Sequence, residues 1–344
     1  MKMSDPLVSI ITPSYNRAKI VVETAESIFR QSYENWEWVV VDDGSTDGSW
    51  DLLNQFQAKD NRVKIFKRDR EPKGAATCRN IAVEKCKGEY LIFLDTDDLL
   101  AHFCLEQRLE AMRQNPYSDF IIFPMLLFSK QPDDKKLLWN VETGEGDLAR
   151  VLHSDPICQG TGTLWKKESF VRIGMWREDL KIWQDIELHI RSFVNNLKYI
   201  KRLDLVPDVF LRVSEISLSR TGFHSFAKLK SRIAVFEYAL PEIIKRGPVQ
   251  SELEGLKSMG FSLILNALNG RYLSEASQLM KLCRKNSLLS HGQYFFINLY
   301  LKLKVFKVDK LPIVNKYFTR LIGRFIPPYN HTLGKVRYAG VVSI

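Results

Sequence analysis

Three aspartates stand within four residues at Asp95-Thr96-Asp97-Asp98, directly after the apolar run Tyr90–Leu94. Like charges this close repel one another unless a cation offsets them. Hard carboxylate oxygens suit Mg²⁺ or Mn²⁺, ions that bind through one or two carboxylates together with substrate phosphates. An ion held there acts as a Lewis acid on a departing diphosphate. The plain alternative is a solvated acidic turn that caps the next helix. A second pair of carboxylates, Asp185 and Glu187, opens a helical pattern after Trp183-Gln184. A carboxylate in such a place can take the proton of an attacking hydroxyl. Residues two apart on a helix do not share a face, so only one of the pair reaches a common site.

The elements that would position these groups alternate. Leu7–Ile11 is a short apolar run ending at Pro13, as a buried strand would. Val21, Ala25 and Ile28 recur at helical spacing and predict a helix over Ala18–Arg30. Trp36–Val41 reads as a second strand, and Asp42-Asp43-Gly44-Ser45 as its loop. Thr46 or Asp47 can cap a helix to about Gln57. Val63–Lys67 is a third strand, Gly74–Cys86 a helix stopped by Gly88, Tyr90–Leu94 a fourth strand, and Leu99–Gln114 a helix. Apolar strands in βαβα order predict a mostly parallel α/β sheet under flanking helices. Ligands bind such sheets at the carboxyl ends of the strands. Thr12–Arg17, Asp42–Ser45 and Asp95–Asp98 all fall at those ends.

The middle of the chain mixes strands at Phe120–Phe128, Gly162–Trp165 and Lys198–Ile200 with a helix near Asp185–Asn195. From about residue 221 the pattern is helical, and the expected boundary lies between Gly222 and Phe226. This predicts two parts, residues 1–220 and 221–344.

The 344 residues are 45% hydrophobic and 26% charged, ordinary for a globular chain and against large-scale disorder. Cys78, Cys86, Cys104, Cys158 and Cys283 form no C-x-x-C pair, which predicts neither zinc cluster nor disulfide framework and fits a reducing compartment. Leu7–Ile11 is too short for a signal-peptide core, and no run reaches the length of a membrane span. The expected location is cytoplasmic, at the inner face of the membrane if any. The net charge of +10 divides into −3 over residues 1–220 and +13 over 221–344. A basic third of this kind suggests an anionic surface as partner.

Three stretches carry a resemblance. Val8-Ser9-Ile10-Ile11-Thr12-Pro13-Ser14-Tyr15-Asn16-Arg17 resembles the opening of family-two glycosyltransferases. Val39–Asp47 resembles their second motif, and Gly74–Asn80 followed by Gly88–Asp98 their third. The resemblance covers about residues 7–220. It implies a GT-A (Rossmann-like) fold and transfer of a sugar from a nucleotide-diphosphate donor, UDP above all, with inversion. It places Thr12, Pro13 and Tyr15 on the nucleotide, Asp43 on the base, and Arg79, Asp95 and Asp97 on the nucleotide-sugar. Asp98, with Asp97, would hold Mn²⁺ or Mg²⁺ as in a DXD motif.

Trp183–Arg191 resembles the family's Glu-Asp motif, which makes Asp185 the catalytic base; Gln184 replaces the usual Glu. Gly174-Met175-Trp176 resembles a turn on the acceptor side. Leu211–Ser219 resembles a loop that closes over the diphosphate, with Leu211 and Ser214 in place of Tyr and His and Arg212 retained. His153, His189 and His224 read as structural. The implied acceptor is a glycan, lipid-linked or free, in surface polysaccharide or lipopolysaccharide assembly.

Leu311–Ile326 places Val314, Phe318, Leu321 and Phe325 beside Lys316, Arg320 and Arg324, the make-up of an interfacial membrane helix. A helical bundle packed on the first part, or a homodimer contact, is the other reading. A dinucleotide oxidoreductase is excluded because no G-x-G-x-x-G follows the first strand. Nucleic-acid binding lacks a motif or an aromatic platform. A non-catalytic nucleotide-sugar-binding protein on the same fold remains the rival.

Overall fold

The computed structural model describes residues 5–132, 134–213, 222 and 224–342. The first part alternates: β1 (Val8–Ser14), α1 (Val21–Phe29), β2 (Trp36–Asp42), α2 (Ser49–Lys59), β3 (Val63–Lys67), α3 (Ala75–Lys85) and β4 (Tyr90–Phe93). There follow β5 (Leu99–Leu100), α4 (Cys104–Gln114), β6 (Phe120–Ile122), β7 (Met125–Phe128), β8 (Leu137–Leu138) and α5 (Asp147–Leu152). Next come β9 (Thr163–Lys166), α6 (Lys167–Arg172), α7 (Gln184–Val194), β10 (Tyr199–Lys201) and β11 (Val209–Arg212). The last part is α8 (Phe226–Lys245), α9 (Gln250–Asn269), α10 (Leu273–Lys285), α11 (His291–Val305), α12 (Pro312–Gly323) and the short β12 (Val336–Arg337).

The main sheet has the order β10-β6-β9-β4-β1-β2-β3. β1 through β4 pair in parallel, and β9 runs against both β4 and β6. Val8, Ile10, Ile11 and Val39–Val41 are wholly buried, as strands covered on both faces must be. A smaller sheet, β12-β8-β7-β11-β5, stands beside it. A mixed α/β sheet between helices, with a helical C-terminal region, is the expected fold class.

Proline and pairing explain where the elements depart from expectation. β1 runs on through Thr12-Pro13 to Ser14. β4 pairs only with Val8–Ile11, so Pro13 has no ladder bond to lose on that side. The expected strand Phe120–Phe128 is two strands in two sheets, parted at Pro124, which lacks the N–H to continue. The helix expected from Leu99 begins at Cys104, because Leu99 and Leu100 pair antiparallel with β11. Gly88 lets the chain enter β4: a Cβ there would stand 2.4 Å from Ser9 Oγ and 2.7 Å from its backbone nitrogen.

The C-terminal helices pack on the sheet domain through α9 against α5. Gly255 makes the close approach, since a Cβ would lie 2.6 Å from Leu152 Cβ. The apolar stripe of residues 311–326 is turned inward. Phe318 stacks on Tyr300 at 4.9 Å, Phe325 meets Phe261 at 5.8 Å, and Val314 and Leu321 are partly buried. Burying those side chains against α9 and α11 outweighs exposing them to water. Among the described residues no helix is long and apolar enough to cross a membrane.

Candidate active site

β4 ends where the acidic motif begins, and α1 and the smaller sheet shape the loop. Thr24 Oγ1 on α1 donates to the carbonyls of Thr96 and Asp98, both at 3.0 Å. The Asp98 carboxylate accepts from the Arg212 backbone N–H at 3.0 Å and from the Thr161 hydroxyl at 3.4 Å. Arg108 braces both sides. It pairs in two places with Asp208, at 2.7 and 2.9 Å, and donates to the carbonyls of Thr161 and Thr163. Arg108 and Asp208 are fully buried.

Asp95, Asp97 and Asp98 each offer an oxygen within 4.8 Å of the others. Asp98 is only 5% exposed, and burial, then Asp97 and Asp95, push its carboxyl well above the usual range. Burial and Asp95 likewise raise Asp97. The cations at hand do not settle this charge: Arg17 lies 4.0 Å from Asp97, and Arg79 takes one oxygen of Asp95 at 2.6 Å. Each carboxylate keeps lone pairs free. Converging hard oxygens with unsettled negative charge fit a divalent cation such as Mn²⁺ or Mg²⁺.

Asp185 stands at the second position of α7. Its Oδ1 accepts from the Gly160 N–H at 2.7 Å, which fixes the carboxylate. Burial raises its pKa, and Arg79 opposes that rise. Arg79 connects the two acidic groups, donating to Asp95 and, at 3.2 Å, to Gln184 Oε1. Gln184 thus keeps a hydrogen-bonding role where the family motif has Glu. Glu187 does not reach the site: it is 1% exposed and paired twice with Arg191 at 2.8 Å.

The side expected to take the nucleotide is formed by the loops after β1 and β2. Asn16 N–H donates to Ser45 Oγ, Thr46 N–H to Asn16 Oδ1, and Arg17 N–H to Ser49 Oγ, all within 2.9 Å. Asp42 turns the second loop by accepting from the N–H groups of Gly44 and Ser45. Gly44 has φ of +83°, which only glycine adopts freely. Tyr15 is 43% exposed under the Lys73 ammonium, and Pro13, two residues before it, is partly exposed. Asp43 accepts from Arg68 at 2.6 Å with one oxygen. Thr12 is fully buried, and its hydroxyl accepts from the Trp38 indole at 2.9 Å, tying β1 to β2.

Trp176 ends the turn expected on the acceptor side. It is 2% exposed, held by Asn80 at 2.8 and 3.0 Å. Arg212 lies over Phe128 and donates to the Asp97 carbonyl at 3.0 Å; the remainder of its loop, Ser214–Ser219, lies outside the described residues. His189 meets Cys158 at 3.0 Å, His153 stacks on Tyr329, and His224 meets Asn266 at 3.1 Å. Sequence reasoning missed Arg17, Arg68, Arg108 and Gly160. Arg17 sat inside a quoted motif, and Gly160-Thr161-Gly162 was the only local signal for the Asp185 anchor.

Comparison with known proteins bears on the family and the fold. The glycosyl transferase family 2 model matches residues 9–174. The UDP-Glc:alpha-D-GlcNAc-diphosphoundecaprenol beta-1,3-glucosyltransferase WfaP of Escherichia coli is 37% identical over 265 residues, covering 70% of this chain and 95% of WfaP. An uncharacterized glycosyltransferase of Rickettsia bellii is 32% identical over 191 residues, 54% of this chain and 27% of that protein. The chain thus spans about a quarter of that relative, whereas it spans nearly all of WfaP. Residues 1–349 of S. aureus TarS, solved in complex with UDP-GlcNAc, share the fold at 18% identity with a TM-score of 0.63, over 97% of this chain and 99% of that one. The motifs, the sheet that presents them and the match along nearly all of WfaP place this chain in glycosyl transferase family 2.

Proposed function

We propose that this chain transfers a sugar from a UDP-sugar to a hydroxyl of a lipid-linked glycan, with inversion at the anomeric carbon, in surface polysaccharide or lipopolysaccharide assembly. The observation that carries the reading is the opposition of two acidic centres across Arg79. One, Asp95-Asp97-Asp98, is fit for a cation; the other, Asp185, is fit to take a proton. Tyr15 stacks on the base, and the free oxygen of Asp43 accepts from a uracil N–H. Asp98 and Asp97 would hold Mn²⁺ or Mg²⁺, which would supply positive charge to offset the departing diphosphate. Asp185, fixed by Gly160, removes the acceptor proton from the face opposite the leaving group. Arg79 keeps Asp95 and the start of α7 in register and lowers the charge cost of holding Asp185 ionised.

The names of relatives support donor and acceptor. WfaP is named for UDP-Glc and for a diphosphoundecaprenol-linked sugar. A thermal-shift screen of nucleotide diphosphates and nucleotide-sugars, with and without Mn²⁺, tests the reading. A metal-dependent rise with uridine compounds is expected, since a ligand that binds the native state raises its melting point. No shift with any of them would contradict a donor site here.

A further inference from the structure

The turn between α11 and α12 carries its apolar side chains on the outside. Val305 is 55% exposed, Phe306 76%, Leu311 60% and Ile313 83%. Tyr317, one turn along α12 from Ile313, is 59% exposed, and Phe295 on α11 is 62% exposed. The core is served by the opposite faces, Ile297 and Tyr300 of α11 and Phe318 and Ile322 of α12. The outward side chains are therefore surplus to packing, and clustered apolar surface of this kind marks a docking face.

The display is held in place. Lys304 and Asp309, both nearly buried, pair at 3.1 Å beneath the turn, and Arg271 joins Asp309 from the α9–α10 connection at 2.9 Å. The surrounding charge has one sign. Lys302, Lys307, Lys310, Lys316 and Arg320 are exposed, and residues 291–344 contain a single acid, the buried Asp309. Among the described residues none of these five cations pairs with a carboxylate. A second copy would set the same cations against themselves, which disfavours self-association. Hydrocarbon contact combined with anionic contact describes a lipid surface.

We propose that the turn at 305–313, with the outer faces of α11 and α12, docks on an anionic phospholipid membrane. Phe306, Leu311 and Ile313 enter the acyl boundary, and Lys307, Lys310 and Lys316 lie among the headgroups. The surface is distinct from the inward stripe of α12 and stands independently of the donor chemistry.

Co-sedimentation of the full chain with phosphatidylcholine vesicles, with and without one-third phosphatidylglycerol, tests it in the absence of donor and acceptor. Binding to the phosphatidylglycerol vesicles is expected. Phe306→Glu combined with Ile313→Glu should weaken it by about a hundredfold or more, from the two side chains no longer buried. Lys307→Gln with Lys310→Gln should weaken it about thirtyfold on anionic vesicles alone. These side chains are exposed, so both variants should keep the wild-type melting temperature and donor response. Absence of wild-type binding, or unchanged binding by the glutamate variant, would overturn the proposal. So would a wild-type dimer that the glutamate variant separates into monomers, which would give the face to a second copy.

Discussion

Arg79 ties Asp95 to Gln184, donating at 2.6 Å to the first and at 3.2 Å to the second, and so fixes the distance between the acidic motif and the helix that carries Asp185. Its guanidinium also opposes the rise that burial imposes on the Asp185 carboxyl. Arg79→Gln removes that charge. Because a base works only when deprotonated, the acid limb of kcat/KM should move to higher pH, with kcat at its plateau falling about tenfold or more. A pH–rate profile checks this, and an unmoved limb would argue that Arg79 serves the fold alone.

Asp98 is held by Arg212 and Thr161, yet keeps lone pairs towards Asp95 and Asp97. Asp98→Asn preserves size and one acceptor but removes the charge. The Mn²⁺-dependent part of the donor's thermal shift should vanish, while the melting temperature without ligand stays equal or rises. Retention of the full metal-dependent shift would remove Asp98 from the ligand set.

Asp208 neutralises Arg108 where neither touches water. Asp208→Asn leaves a buried guanidinium without its counter-charge, at a cost of about 3–5 kcal/mol. Denaturant unfolding measures it. The same change loosens Thr161 and Thr163, so transfer should weaken even where the chain remains folded.

Burial lowers His189 from an ordinary pKa of 6.5 to about 4. The unfolded chain therefore binds more protons between those values. Stability contributed by the neutral ring is present above pH 6.5 and is lost as pH falls towards 4, by about 3 kcal/mol. His189→Leu removes this contribution to the slope. Urea melts across that range should show the flatter dependence, and an unchanged slope would mean the ring is hydrated.

Much of the first half was legible because its physics is local. Continuous apolar runs gave buried parallel strands, and polar residues after them gave the loops at the sheet's carboxyl edge. The surroundings of Thr12 were not legible, because its motif position says nothing of the Trp38 indole, which lies 26 residues away in sequence. Gly160, Arg108 and Asp208 were invisible for the same reason: they act through contacts between distant segments. The α12 stripe was read correctly as amphipathic, but periodicity alone cannot tell a core from a membrane. The partner helix decides that, and Tyr300 on α11 supplies the contact.

The role proposed for Asp185 is that of the base in a sugar transfer. The most direct test compares Asp185→Asn with the parent chain for transfer rate and for the metal-dependent donor thermal shift. A rate lower by about a hundredfold to ten-thousandfold, with the donor shift intact, is expected. An Asn variant that transfers at the parent rate would contradict it.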